Sequence, residues 1–210
     1  MVLEKLEHRS FTFEVRAEQD EKHGSIIVGR PIVYDSKTNI GEFDEVIARG
    51  ALNNTNLTDV RFLVNHDVSR IPLARSRKNN ENSTMRLTVD DEGMEIRVDL
   101  DTENNSEARA LYSAVQRGDV TGMSFMFGID DEEWTDIKSS HPTRTIKSIS
   151  TVVEVSAVTF PAYDETSINA RDSERALENA RRALDNARTN DDKAQAELAK
   201  LKIKYLMEGM

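Results

Sequence analysis

Met85-Arg-Leu-Thr-Val-Asp-Asp-Glu-Gly-Met-Glu-Ile-Arg-Val98 is the stretch on which the fold turns. Met85 to Val89 and Met94 to Val98 alternate apolar with polar residues, the period of a strand with one buried face. Asp90 to Gly93 supplies the turn, with Gly93 free to take positive φ, so the stretch predicts a β-hairpin. Outward from it, short runs of the same kind recur. Phe11, Phe13 and Val15 alternate with polar residues, and Ser25 to Val28, Pro31 to Tyr34 and Val60 to Val64 read as compact buried strands. Further on, Gly122-Met-Ser-Phe-Met-Phe127 reads as a strand, Asp130 to Thr143 as a polar loop, and Ile149 to Phe160 as a long apolar strand ended by Pro161.

One helix interrupts the strands. Ala108, Leu111, Tyr112 and Val115 fall at i, i+3, i+4 and i+7, Asn104 with Glu107 reads as a capping box, and Gly118 stands where a C-terminal stop belongs. After Ala170 the composition changes to Ala, Arg, Glu and Asn with no glycine until Gly209. Leu177, Ala180, Leu184, Ala187, Ala194, Leu198, Leu201 and Tyr205 fall on a heptad seam interrupted by Asp191, and Thr189 to Asp192 offers a place for a second helix to start. The expectation is an α+β fold: a β-rich, barrel-like body with a few packed helices over residues 1–170, then a long helical tail over 171–210.

Composition narrows the function. No apolar run approaches the roughly 20 residues of a membrane span, and the charged N-terminus lacks the pattern of a secretory signal, so the protein is expected to stay in the cytoplasm where it is made. Without cysteine, covalent catalysis must run through a hydroxyl, a lysine or a carboxylate. A net charge of -10 argues against nucleic acid and for protein partners. No metal-binding spacing, phosphate loop or dinucleotide fingerprint is present, so neither metal nor cofactor is expected, and the Gly-x-Ser-x-Gly elbow is absent. Arg70, Arg75, Arg77 and Lys78 form a basic stretch, either a solvated loop or a contact for an acidic partner segment.

Three residues stand out. Of four histidines, His8, His23 and His141 lie in polar segments, whereas His66 sits at the exit of the hydrophobic strand Phe62-Leu-Val-Asn-His66, placed to act as a base or to close the strand with a hydrogen bond. Ser124 interrupts an apolar strand, as a nucleophile or as a residue that faces a tight neighbour or bonds a backbone carbonyl. Glu154 lies within Val152-Val-Glu-Val-Ser-Ala-Val158, where a carboxylate must be paired or face outward.

Together with their flanks these residues resemble a family. Gly29-Arg-Pro-Ile-Val-Tyr34, Val64-Asn-His66-Asp67, Pro72-Leu-Ala-Arg75, Arg117-Gly-Asp-Val-Thr-Gly-Met-Ser124-Phe125 and Val153-Glu154-Val-Ser-Ala-Val-Thr-Phe-Pro161-Ala follow in the order seen in the prohead maturation proteases of tailed bacteriophages, which are similar in fold to herpesvirus assembly proteases. The resemblance covers residues 10 to 170. It implies a serine endopeptidase with His66 as base, Ser124 as nucleophile and Glu154 as third member. It also implies cleavage of the scaffolding segment of the major capsid precursor, of other prohead proteins and of the protease itself. The expected partners are that precursor, the portal and prohead shell, and a second copy of the chain in a homodimer or higher oligomer; the expected place is the host cytoplasm, inside the assembling prohead. A non-enzymatic scaffold or capsid-interaction protein is the alternative.

Overall fold

Strand periodicity in the sequence becomes two sheets in the structure, a computed structural model that describes residues 6–11, 15–21, 24–159 and 175–186. In the larger sheet β1 (Leu6–Phe11), β10 (Gly122–Thr135), β11 (Thr143–Val158), β5 (Asp44–Ile47) and β4 (Thr38–Asn39) lie side by side in that order. β6 (Asp59–Val64) also pairs with β11 and carries β7 (Ala74–Arg77) on its other edge. The second sheet runs β2 (Val15–Asp20), β3 (Gly24–Val33), β9 (Gly93–Leu100), β8 (Met85–Asp90). Ile27, Ile32, Met94, Ile96 and Val98 of this sheet share one core with Val60, Phe62, Phe125, Phe127 and Val155 of the larger one. The barrel-like body of the sequence reading is thus hydrogen-bonded as two sheets.

The hairpin forms as its sequence requires. Asp90 Oδ1 accepts from the Glu92 and Gly93 amides at 2.8 and 3.1 Å, and Gly93 has φ 144°. A Cβ at Gly93 would stand 2.0 Å from the Ile32 carbonyl oxygen, so only glycine fits where β3 crosses the turn. Among the described residues of the body the one helix is α1 (Ser106–Arg117), which buries Ala108, Leu111 and Val115. Its N-cap is Asn105 rather than Asn104: the Asn105 side chain accepts from the Glu107 and Ala108 amides, while the Asn104 amide is already bonded to Asp101. Gly118 ends it in the left-handed conformation, at φ 76°.

Three expectations change. Ser25 to Val28 and Pro31 to Val33 belong to one strand, β3, with Tyr34 just past its end, and the pairing of β3 with β9 shifts register between Gly29 and Ile32, so a bulge absorbs Pro31. The polar segment from Asp130 is strand, not loop, as far as Thr135, because its side chains pair across to β11. Trp134 lies opposite Arg144, whose guanidinium stands 5.7 Å from the indole ring, and Glu133 meets Lys147 at 2.8 Å. Within the expected tail a second helix, α2, spans 175–186 and buries Ala176 and Leu177. The seam from Ala187 to Tyr205, the cap at Thr189 to Asp192, Phe13, His23 and the stop at Pro161 lie outside the described residues.

A buried ionic group joins β1 to the body. Arg9 bonds Glu45 at 2.5 and 2.8 Å and Glu7 at 2.6 Å; Arg144 bonds Glu7 at 2.8 and 3.2 Å, Glu45 at 3.2 Å, and Glu132. Burial acts to lower the Arg144 pKa, but the bond to Glu7 and the charges of Glu45, Glu7 and Glu132 outweigh it and raise it. Both guanidiniums therefore stay charged inside the protein.

Candidate active site

β6 runs parallel to β11, with Arg61 opposite Glu154, Phe62 opposite Val155, Leu63 opposite Ser156 and Val64 opposite Ala157. The pairing outlasts β6, since the Asn65 amide donates to the Ala157 carbonyl at 2.9 Å. The chain then turns sharply. Asn65 and His66 have φ 50° and 58°, two successive left-handed residues, each costing about 1–3 kcal/mol; asparagine and histidine are among the side chains that tolerate this region. Hydrogen bonds hold the turn from several sides. Asn65 Oδ1 accepts from the Thr159 amide at 3.0 Å and the Thr159 hydroxyl at 2.9 Å, and the His66 amide donates to the Ser156 hydroxyl oxygen at 3.1 Å.

The turn carries the His66 ring back over β11. His66 Nδ1 stands 2.5 Å from Glu154 Oε1, and the other oxygen, Oε2, accepts from the Ser156 hydroxyl at 2.6 Å. Glu154 is 1 % exposed and its neighbour across the bond, His66, is 21 % exposed at the side chain, so the carboxylate lies behind a ring that still reaches solvent. An ionised carboxylate only accepts, so the shared proton belongs on Nδ1 and leaves Nε2 as the basic nitrogen.

A bulge makes this arrangement possible. Met126 of β10 pairs with Glu154, yet the next residue, Phe127, pairs with Val152, leaving Val153 as the extra residue. Val152 and Val155 can thereby both enter the core while Glu154 and Ser156 share the opposite face. Strict alternation would put Val152 and Glu154 on one face, which is why the sequence reading leaves Glu154 free to point outward.

Ser124 lies on β10 directly across from Ser156, at a spacing that in antiparallel pairs sets Cβ atoms about 4.5–5.5 Å apart. It is fully buried, and its hydroxyl donates to the Arg9 carbonyl oxygen of β1 at 2.7 Å rather than to the His66 ring. Of the three residues singled out in the sequence, the fold thus bonds His66 to Glu154 and sets Ser124 on the neighbouring strand, one residue pair away through Ser156.

The remaining candidates resolve otherwise. His141 bonds Asp44 at 2.9 Å, which with Lys37 holds the Asp44 carboxyl below its ordinary pKa. Arg70 bonds Glu107 at 2.6 Å, and Arg75 bonds Asp59 at 2.5 and 2.7 Å from β7, so these two members of the basic stretch form ion pairs within the chain. Among the described residues no group of three or more His, Cys, Asp or Glu side chains is placed to hold a metal ion. The sequence reading passed over Ser156 and the carbonyl of Arg9. Period-two spacing from Glu154 was the available signal for the former; the latter depends on a strand pairing that no local pattern announces.

Residues 11–182 match the model of the family described as Caudovirus prohead serine protease. The chain is 29% identical over 171 residues to the prohead protease of Enterobacteria phage HK97, across 80% of this chain and 69% of that protein. Among solved structures, the bacteriophage T4 capsid assembly protease aligns over 73% of this chain and 97% of its own, at 11% identity and a TM-score of 0.41.

Proposed function

The chain belongs to the Caudovirus prohead serine protease family, and on that footing we propose that Ser124 is its nucleophile, His66 its general base and Glu154 the carboxylate that orients the base. The protein is a serine protease of phage capsid maturation that acts in the assembling prohead within the host. The observation that carries the residue assignment is the 2.5 Å contact between a buried Glu154 and a partly exposed His66. A carboxylate in that position fixes the tautomer with Nε2 basic and stabilises the imidazolium that forms when the ring takes a proton.

In the reaction the Ser124 hydroxyl exchanges the Arg9 carbonyl for His66 Nε2, gives up its proton there and attacks the substrate carbonyl carbon. The imidazolium then returns that proton to the departing amine as the peptide C–N bond breaks. Water, deprotonated by the same nitrogen, releases the acyl group from Ser124. The exchange of partners is needed because a hydroxyl bonded to a backbone oxygen has no base to activate it.

The substrates we assign are the scaffolding segment of the major capsid precursor, other prohead proteins and the protease's own termini. Residues 171–210 serve in this reading as a tail that gathers copies of the enzyme or ties it to the portal and shell. Ser124→Ala tests the assignment: it should abolish cleavage of the capsid precursor and self-truncation while leaving the far-ultraviolet circular dichroism unchanged. Cleavage at the parent rate would end it. Normal entry into proheads after deletion of 171–210 would dispose of the role given to the tail.

A further inference from the structure

Ser156 is a buried side chain whose hydroxyl connects the backbone of the base to its carboxylate. Its oxygen accepts from the His66 amide at 3.1 Å, and its proton goes to Glu154 Oε2 at 2.6 Å. Ser156 is fully buried, so no water competes for either bond, and Glu154 beside it is 1 % exposed. From these contacts we infer that Ser156 is a positioning residue for the protease reaction, fixing the backbone of His66 and the rotation of the Glu154 carboxylate with a single hydroxyl.

Each bond restrains one half of the dyad. The His66 amide points at β11 because residues 65 and 66 are both left-handed, and Ser156 is its acceptor; without that bond the turn loses the contact that aims the imidazole. The carboxylate is free to rotate about its last bond unless both oxygens are engaged. Ser156 takes Oε2, which leaves Oε1 directed at Nδ1. Backbone and carboxylate are thereby referred to one atom on the strand that also supplies Glu154. Ser156 is also the residue directly opposite Ser124, so the strand pair that sets the nucleophile's height sets the base's as well.

The inference rests on the proposed roles of Ser124, His66 and Glu154. Ser156→Ala in the full chain should lower kcat on a capsid-precursor peptide by about 10- to 100-fold, the scale of a misplaced catalytic group. KM should stay within about twofold, since Ser156 meets no substrate. The proton resonance of His66 Nδ1–H is expected far downfield in the parent, given its short bond to Glu154, and should move upfield or broaden beyond detection in the variant. Ser156→Cys, close in volume but weak as donor and acceptor, should lose kcat in the same direction and keeps the test available if the alanine variant fails to fold.

Ser76→Ala sets the baseline, because Ser76 on β7 is buried with its hydroxyl unpartnered and should leave kcat and the resonance unchanged. Parent values of kcat and of the resonance in both folded Ser156 variants would overturn the positioning role. Failure of the underlying assignment looks different: His66→Ala would then retain activity, whereas it is inactive if only the inference about Ser156 is wrong.

Discussion

Replacing Arg144 with methionine removes one of the two arginines described in the buried group that joins β1 to the sheet. The Arg144 side chain is 3 % exposed, and it bonds Glu7, Glu45 and Glu132, of which Glu7 and Glu45 are themselves buried. Arg144→Met takes one guanidinium from the buried Glu7 and Glu45, which keep their bonds to Arg9, takes the cation from Glu132 and removes it from the face of Trp134. Breaking a buried ion pair by deleting one partner costs about 3–5 kcal/mol, because the charge left behind keeps its desolvation penalty. In a protein of this size each kcal/mol lowers Tm by about 2–4 °C, so a fall of about 6–20 °C is expected in a thermal melt followed by circular dichroism. Replacing the group together, as Glu7→Leu, Arg9→Met, Glu45→Leu and Arg144→Met, should recover most of that loss, since these four buried charges go together and the carboxylate left behind, Glu132, reaches solvent. A single Arg144→Met variant within about 1 kcal/mol of the parent, the scale of surface pairs, would refute the reasoning and mean that water reaches the cluster.

Three further outcomes are expected. Glu154→Gln should reduce kcat/KM by about 10³- to 10⁴-fold, because an amide cannot stabilise the imidazolium; peptide cleavage under single-turnover conditions measures this, and a loss below tenfold would remove Glu154 from the site. Gly93→Ala should lower the urea midpoint by more than the roughly 1 kcal/mol typical of a substitution, since its Cβ would collide with the Ile32 carbonyl; a neutral effect would show that the turn relaxes freely. The hydrogen bond from Arg75 holds the Asp59 carboxyl below its ordinary value of 3.8, so the unfolded state binds the proton first on acidification. The stability this pair contributes is therefore present above about pH 4 and lost as pH falls through the lower, folded value. Urea titrations from pH 7 to pH 2 should show Arg75→Ala less stable than the parent at neutral pH and converging with it in acid; parallel curves would contradict the assignment.

The parts of the fold legible in the sequence were those decided by neighbours along the chain. Asp90 to Gly93 carries its own turn chemistry, α1 displays its apolar stripe and terminal glycine, and Val60 to Val64 reads as the buried strand it is. The cap of α1 missed by one residue because Asn104 and Asn105 are chemically equivalent, and only the folded loop commits Asn104 to Asp101. The outer half of β10 was invisible because its side chains are polar and exposed; Trp134 against Phe43, with ring centroids 4.8 Å apart, and the ion pairs to β11 supply what burial does not. At the site, His66 and Ser124 drew notice by standing out from apolar strands. Ser156 did not: its period-two spacing from Glu154 sets both on one face, but only the fold shows that this face meets His66.

His66 and Glu154 are 88 residues apart in the chain and meet only through the parallel pairing of β6 with β11. On a ribosome adding about 5–20 residues per second, the imidazole leaves the peptidyl-transferase centre about 4–18 s before its carboxylate has been made. Ser124, too, is synthesised before Glu154 and Ser156. On the roles proposed for Ser124 and His66, a nascent chain that stalls anywhere before that pair carries a nucleophile and a base with nothing to align them, so translation order itself would delay the first cut until the whole larger sheet has been synthesised.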